Sequence, residues 1–220
     1  MQKLFINGKK ELSGKISISG SKNASLPILA ATILSSNSKL VNVPLVEDIF
    51  TMIKLLKFIG LKISIKKDKN EININNINKK IKTLAPYNLV KTMRAGVLVL
   101  GPLLSKYKKA KISLPGGCAI GTRPVDLHLF ALKKLGAKIK IKNGYIVADA
   151  KNGLKGANIN FPKISVGATE NAILAAFGAE GKTTINNCAI EPEIKDLVKF
   201  LNKLGGKIKI VNRKILVNCA

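Results

Sequence analysis

Three segments of the chain share one pattern of apolar positions. In each segment, apolar side chains recur at the spacing that places them on a single face of an amphipathic α-helix, and a glycine follows the last of them. After the glycine come alternating apolar and polar residues, a polar turn and a second alternating run, which predicts a β-hairpin. The helical apolar positions are Ile49, Ile53, Leu56 and Ile59, then Val125, Leu129, Leu132 and Leu135, then Ile194, Val198, Leu201 and Leu204.

The residues that end each helix and turn each hairpin also correspond. We expect Gly60, Gly136 and Gly205 to close the three helices in a left-handed conformation. A chain rich in Lys and Ile repeats short alternating phrases by chance, but chance does not explain the matched helical spacing. The predicted hairpin turns are Lys69-Asn70, Asn143-Gly144 and Asn212-Arg213.

The first half of each segment adds an alternating strand, a helix rich in small residues and a further strand. Each unit is therefore predicted to be βαβαββ, with repeats at roughly 15–75, 76–150 and 151–220. Three such units can bury their helices only against one another, which predicts one inside-out α/β domain over residues 1–220, with helices inside and four-stranded sheets outside. The predicted strands include 15–19, 40–43, 111–114 and 183–187, and the small-residue helices are 24–34, 90–104 and 169–177.

The composition restricts the classes of function. The chain has 38 Lys and Arg against 12 Asp and Glu, a net charge of +26, which by itself suggests a nucleic-acid partner. We do not expect one, because lysine is spread along the whole chain and aromatic residues for base stacking are only 5%. No apolar run reaches the length of a membrane span and the first residues lack a secretory signal, so we expect a soluble, cytoplasmic protein with no membrane partner.

The three cysteines fit neither a disulfide framework nor a zinc site, because their number is odd and no two are close in sequence. Cys118 lies in a glycine-rich loop with Arg123 nearby, and positive charge lowers the pKa of a thiol. It is therefore a candidate reactive thiol. We expect Cys188 and Cys219 to be inert packing residues.

Two further features favour an anion site. Lys22 and Asn23 lie between a predicted strand and a helix, so that the lysine charge and the helix N–H groups converge on one spot. The alternative for Lys22 is an ordinary solvated lysine. Arg94 and Arg123 are two of only three arginines in a chain that otherwise uses lysine, which favours them as phosphate clamps over surface arginines.

Four segments, 20–27, 86–95, 115–128 and 165–169, resemble the UDP-N-acetylglucosamine enolpyruvyl transferases. The resemblance implies transfer of the enolpyruvyl group of phosphoenolpyruvate to the 3-hydroxyl of UDP-N-acetylglucosamine, the first committed step of peptidoglycan synthesis, with no metal or organic cofactor. It implies that Cys118 is a general acid toward the methylene carbon of phosphoenolpyruvate. The phosphoenolpyruvate-binding residues that it implies are Lys22, Asn23 and Arg123. The nucleotide-sugar-binding residues that it implies are Arg94, Arg123, Pro124, Val125, Asp126, Leu127, Lys163, Ile164, Ser165, Val166 and Gly167.

The sequence also departs from the family that it resembles. In that family a second domain of the same design closes over the first and supplies a catalytic carboxylate, and residues 1–14 would form a strand that crosses to it. We therefore expect the 220-residue chain to need that domain, in cis or in trans, for catalysis. The family commonly has an aromatic residue at the position of Leu98. We interpret the single histidine, His128, as a structural or supporting residue rather than a proton shuttle.

Two alternatives stay open. The first is a related enzyme that acts on shikimate 3-phosphate, which shares the fold but which the segment 115–128 resembles less closely. The second is a non-catalytic basic half-enzyme that binds anions or RNA, recognisable by salt-dependent RNA affinity without a response to the UDP-sugar. On the main interpretation, one concave face should carry Lys22, Arg94, Cys118, Arg123 and Ser165.

Overall fold

A computed structural model of the chain describes residues 3–8, 11–77, 80–91, 93–114 and 125–218. The first repeat contains two helices and three strands. Its elements are α1 Lys22–Ala31, β1 Asn37–Leu40, α2 Glu47–Ile59, β2 Lys62–Lys66, a short 3-10 helix Lys67–Lys69, and β3 Glu71–Asn75.

The second and third repeats follow the same order with one more strand each. The second consists of β4 Leu84–Ala85, α3 Tyr87–Val90, a 3-10 helix Arg94–Val99, α4 Leu100–Tyr107, β5 Lys109–Ser113, α5 Asp126–Lys134, β6 Lys138–Lys142 and β7 Tyr145–Asp149. The third consists of β8 Asn158–Asn160, α6 Val166–Ala176, β9 Lys182–Asn186, α7 Pro192–Lys203, β10 Lys207–Val211 and β11 Lys214–Asn218.

Each repeat forms its own sheet. The orders are β1-β3-β2, β4-β5-β7-β6 and β8-β9-β11-β10. The hairpins are antiparallel, whereas β4 pairs with β5 and β8 pairs with β9 in parallel. The three-repeat α/β architecture predicted from the sequence is therefore confirmed.

The helices pack against one another between the sheets. Helix α6 lies at the centre of the described core, since every residue from Ala168 to Ala176 is buried and the helix contacts α4, α5 and α7. Its close approach to α4 requires a glycine, because a Cβ atom at Gly101 would lie 2.5 Å from the side chain of Asn171. Within the described ranges, no helix has the length and apolarity that crossing a membrane would demand.

The predicted helix ends and turns are confirmed. Gly60, Gly136 and Gly205 follow the last turns of α2, α5 and α7 with φ of 126°, 94° and 97°, conformations that side chains disfavour. The predicted apolar helix positions are buried or half-buried, and Leu204 is one of the half-buried ones. The hairpins turn at Asn70, at Asn143-Gly144 and at Asn212 with positive φ.

The strand predicted at 15–19 is wrong. These residues form no strand, and Ile16 and Ile18 are 87% and 81% exposed. Apolar and polar residues do alternate over residues 15–19. However, no described strand lies beside this segment, and a strand needs a hydrogen-bonded neighbour. As a result the first sheet has three strands in the described ranges rather than four. Residues 3–8 and 11–14 are likewise exposed and outside any strand, and their crossing to a second domain stays a prediction.

The single helix predicted at 90–104 is also wrong. The segment divides into α3, the 3-10 helix Arg94–Val99 and α4. Gly96 and Gly101 lower helix propensity there, and Pro102 lacks an N–H group. The side chain of Asn171 accepts a hydrogen bond from the N–H of Gly101 at 2.7 Å, so a tertiary contact stabilises the junction between the 3-10 helix and α4.

Candidate functional site

One cleft of about 530 Å³ lies where five element starts meet: α1, the 3-10 helix Arg94–Val99, α5, α6 and α7. The elements come from all three repeats. The lining residues are Asn23, Leu26, Pro27, Arg94, Ala95, Val97, Leu98, Val125, Asp126, Leu127, His128, Lys163, Ile164, Ser165, Val166, Gly167, Glu170 and Glu193.

This cleft brings together every predicted nucleotide-sugar residue that the structure describes, although those residues are far apart in sequence. The position that is commonly aromatic in the resembled family, Leu98, also lines it. Cys118, Arg123 and Pro124 lie outside the described residues. The binding roles of the whole set, and the general-acid role of Cys118, therefore stay predictions.

The start of α6 presents hydrogen-bond donors to the cleft. Ser165 caps the helix, because its Oγ accepts a hydrogen bond from the N–H of Ala168 at 3.3 Å. The N–H groups of Val166 and Gly167 precede that residue and have no partner within the helix. Because the N-terminal end of a helix also carries partial positive charge, this turn suits a phosphate or carboxylate oxygen.

The start of α1 has the same local cap in a more open setting. Ser21 accepts a hydrogen bond from the N–H of Ala24 at 3.3 Å, and Lys22 and Asn23 occupy the first turn. Asn23 lines the cleft, whereas Lys22 stands beside it and forms an ion pair with Asp48 at 2.8 Å. Lys22 is exposed, so this ion pair is weak and can exchange for a ligand anion.

A buried polar network supports the cleft from behind. The side-chain amide of Asn171 donates to the carbonyl of Val97 at 3.1 Å and lies 3.1 Å from Nδ1 of His128. Burial, followed by the positive charge of Arg94, lowers the pKa of His128 to about 4, while Asp126 acts in the opposite direction. The imidazole is therefore neutral near pH 7, and the structural or supporting role of His128 stays a prediction.

The structure also reveals a carboxyl group that the sequence interpretation did not single out. Glu170 is 5% exposed and lines the cleft on α6. Burial, followed by the negative charge of Glu193, raises the pKa of Glu170 to about 8, so that its carboxyl is protonated near pH 7. The sequence signal for Glu170 was one ionisable residue within a helix of otherwise small, apolar and neutral residues. Such a residue is rarely buried unless it is paired or neutral, so its position points to a special environment.

Cys188 and Arg213 are remote from the cleft, and Cys219, the other predicted packing cysteine, lies outside the described residues. Cys188 is fully buried and burial raises the pKa of its thiol, which confirms it as a packing residue. The third arginine, Arg213, donates to the carbonyl of Cys188 at 3.4 Å and is not part of the cleft lining. Among the described residues, His, Cys, Asp and Glu side chains form no group of three that could hold a metal ion.

Comparison with known proteins identifies the family. The sequence profile of the EPSP synthase (3-phosphoshikimate 1-carboxyvinyltransferase) family matches residues 6–219. The chain belongs to this family. Two solved structures share the fold of this chain. The enolpyruvyl transferase NikO from Streptomyces tendae matches with a TM-score of 0.77 and 18% identity, over 97% of this chain and 50% of that one. EPSP synthase from Acinetobacter baumannii matches with a TM-score of 0.74 and 22% identity, over 94% of this chain and 47% of that one.

Relatives with higher identity carry a more specific name. Proteins named UDP-N-acetylglucosamine 1-carboxyvinyltransferase from Pelagibacter ubique (strain HTCC1062) and Endomicrobium trichonymphae are 64% and 54% identical over 95% and 94% of this chain. The alignments cover 50% and 49% of those two proteins. The chain thus spans about half the length of the family relatives that it matches.

Proposed function

We propose that this chain is the half of a UDP-N-acetylglucosamine 1-carboxyvinyltransferase that holds both substrates. The reaction transfers the enolpyruvyl group of phosphoenolpyruvate to the 3-hydroxyl of UDP-N-acetylglucosamine and releases phosphate. The observation that carries the proposal is the cleft, which gathers ten predicted substrate-binding residues from three repeats around two capped helix starts. The names of the relatives from Pelagibacter ubique and Endomicrobium trichonymphae support this acceptor.

The two sides of the cleft suit different parts of the substrates. The start of α6 offers backbone donors and a positive helix end, which suit the diphosphate of the nucleotide sugar. Arg94 and Lys163 add positive charge at the same cleft. The start of α1, with Lys22 and Asn23, suits the phosphate and carboxylate of phosphoenolpyruvate.

The proposed chemistry is an addition followed by an elimination. The 3-hydroxyl oxygen attacks C2 of phosphoenolpyruvate while a proton reaches the methylene carbon from Cys118, which gives a tetrahedral intermediate. Loss of a proton from the new methyl group and departure of phosphate then restore the double bond. The positive groups stabilise the charge that develops on the departing phosphate. We assign the base that accepts the hydroxyl proton to a second domain. We place the reaction at the start of peptidoglycan synthesis, in the cytoplasm.

Shikimate 3-phosphate is the competing acceptor, because the family profile bears the name of the enzyme that uses it. Isothermal titration of the chain with each acceptor separates the two. We expect heat of binding with UDP-N-acetylglucosamine and none with shikimate 3-phosphate. The reverse result would overturn the proposal in favour of the sister reaction.

A second experiment tests the site and the need for a second domain. We expect Arg94→Lys to weaken UDP-N-acetylglucosamine binding, because lysine cannot form a bidentate contact with phosphate. Arg213→Lys, at the remote arginine, is the matched control and should bind normally. Phosphate release with both substrates should be absent for the chain alone and appear when the second domain is added in trans, because catalysis needs both reacting groups held in place.

A further inference from the structure

The orientation of the Asn171 amide follows from its backbone partners. The N–H of Gly101 can only donate, so the atom of Asn171 that it contacts at 2.7 Å is the oxygen. The carbonyl of Val97 can only accept, so the atom that it contacts at 3.1 Å is the amide nitrogen. The two backbone groups leave no freedom to exchange the two ends of the amide.

This orientation determines the tautomer of the neighbouring histidine. The amide nitrogen of Asn171 has no lone pair to accept with, and it lies 3.1 Å from Nδ1 of His128. Nδ1 must therefore accept the hydrogen bond and cannot carry a proton. In the neutral imidazole the proton then resides on Nε2.

The protonated nitrogen lies against the first turn of α6. A Cβ atom placed on Gly167 would stand 3.4 Å from Nε2 and 3.2 Å from Cε1 of His128, so the glycine allows the ring to approach. His128 is 8% exposed and lines the cleft. Its contact with Asn171 is the only hydrogen bond it makes with the described residues, and that contact uses Nδ1.

We propose that Asn171 is a positioning residue that holds His128 as the Nε2–H tautomer, so that His128 donates a hydrogen bond to a diphosphate oxygen of the ligand at the start of α6. The Nε2–H group of His128 and the N–H groups of Val166 and Gly167 then form one binding site for an anionic oxygen. This inference rests on the proposed function for the identity of the ligand. The tautomer itself is independent of that identity.

A neutral donor has a physical advantage at this place. An imidazolium would be costly to bury beside Arg94, which also lines the cleft, whereas a neutral N–H needs no counter-charge. The donor is also directional, since the ring is held at its opposite nitrogen by Asn171. It therefore selects for an oxygen at one position rather than for negative charge in general.

Because the chain has a single histidine, ¹⁵N NMR of the imidazole reports this site alone. In the ligand-free 220-residue chain we expect Nδ1 to appear unprotonated and Nε2 protonated. Asn171→Asp should reverse this, because a carboxylate accepts from both Gly101 and the imidazole and so requires a proton on Nδ1. A wild-type spectrum with the proton on Nδ1, or with rapid exchange between both nitrogens, would overturn the assignment whatever the variants do.

Titration with UDP-N-acetylglucosamine tests the ligand contact. We expect the Nε2–H resonance to shift on binding, and His128→Phe to weaken binding by about tenfold, the value of one hydrogen bond. His128→Gln, whose amide places an N–H near the same point, should recover most of the affinity. Thr169→Val is the matched control on α6. Thr169 Oγ1 accepts a buried hydrogen bond from the N–H of Ala189 and does not line the cleft, so this variant should bind normally.

The outcomes separate this inference from the proposed function. If the wild-type chain binds UDP-N-acetylglucosamine but the Nε2–H resonance does not move and His128→Phe binds equally well, the donor role is wrong and the proposed function stands. If the wild-type chain does not bind the nucleotide sugar, the proposed function is wrong and the ligand assigned to His128 is wrong with it.

Discussion

The first turns of α1 and α6 begin alike and differ in what surrounds them. Both helices have a serine cap that accepts a hydrogen bond at 3.3 Å from the N–H group three residues later. Around α6 the cap is half-buried, and the imidazole of His128 and the carboxyl of Glu170 lie at the same cleft. Around α1 the cap and the next two residues are exposed.

The difference shows that a helix cap specifies where donors point, whereas tertiary packing decides how strongly they act. Water competes with a ligand at the exposed start of α1 and screens its lysine. The start of α6 is half-buried and lies beside the buried His128 and Glu170, so that hydrogen bonds and charges there have larger effects. We therefore expect substitutions near α6 to change stability and binding much more than equivalent substitutions near α1.

The largest expected effect is at Glu170. Its carboxyl has a pKa of about 8 in the folded chain against an ordinary 4.5, so the unfolded state loses its proton first and stability falls as pH rises from 4.5 to 8. Glu170→Gln removes this loss. We expect the variant to gain about 4 kcal/mol in the free energy of unfolding relative to wild type between those two pH values.

Chemical denaturation of both proteins across this pH range measures the effect. Glu11→Gln, the same change at an exposed position, is the control and should leave the pH profile unchanged. A Glu170→Gln profile parallel to that of wild type would show that Glu170 is ionised in the folded chain.

A second comparison sets Asn171 against Asn23. Asn171→Ala leaves the N–H of Gly101 and the carbonyl of Val97 buried without their partner, so we expect a loss of about 3 kcal/mol in the free energy of unfolding. Asn23→Ala is the matched change in the exposed turn of α1 and should cost less than about 0.5 kcal/mol. Denaturant unfolding of the two variants decides the matter, and equal costs would contradict the contrast between the two regions.

The helix caps should behave more similarly. Ser165→Ala and Ser21→Ala each remove one side-chain acceptor from a helix start, and we expect each to cost about 1 kcal/mol. Thermal unfolding monitored by circular dichroism compares them, with Ser36→Ala as a control outside any helix. A cost several times larger at Ser165 would mean that the cap itself, and not only its surroundings, differs between the regions.

The smallest expected effect is at the exposed ion pair of Lys22 with Asp48. Asp48→Asn should change the free energy of unfolding by less than about 0.5 kcal/mol, because exposed pairs contribute little. The same variant should tighten phosphoenolpyruvate binding, since it releases the lysine from a competing carboxylate. Isothermal titration in low and high salt checks this, and weaker binding in the variant would show that Asp48 positions Lys22 for the ligand.

Much of the fold was predictable because its signals are periodic and local. The spacing of apolar residues that ends at Ile59, Leu135 and Leu204 predicted three helices, and the glycine after each predicted a left-handed cap. The alternation at 15–19 failed because pairing depends on a neighbouring strand, which no local pattern encodes. The helix at 90–104 failed because the contact of Gly101 with Asn171 spans two repeats.

The candidate site divides in the same way. The sequence alone singled out Arg94, Ser165 and Gly167 as candidate binding residues, because residue types and short motifs are local properties, and their binding roles stay predictions. Tertiary structure decided the proton on Glu170 and the tautomer of His128, because desolvation and hydrogen-bond direction depend on groups brought together from distant parts of the chain. A protonation state is thus a property of the packed core, even where each residue that shapes it is plain in the sequence.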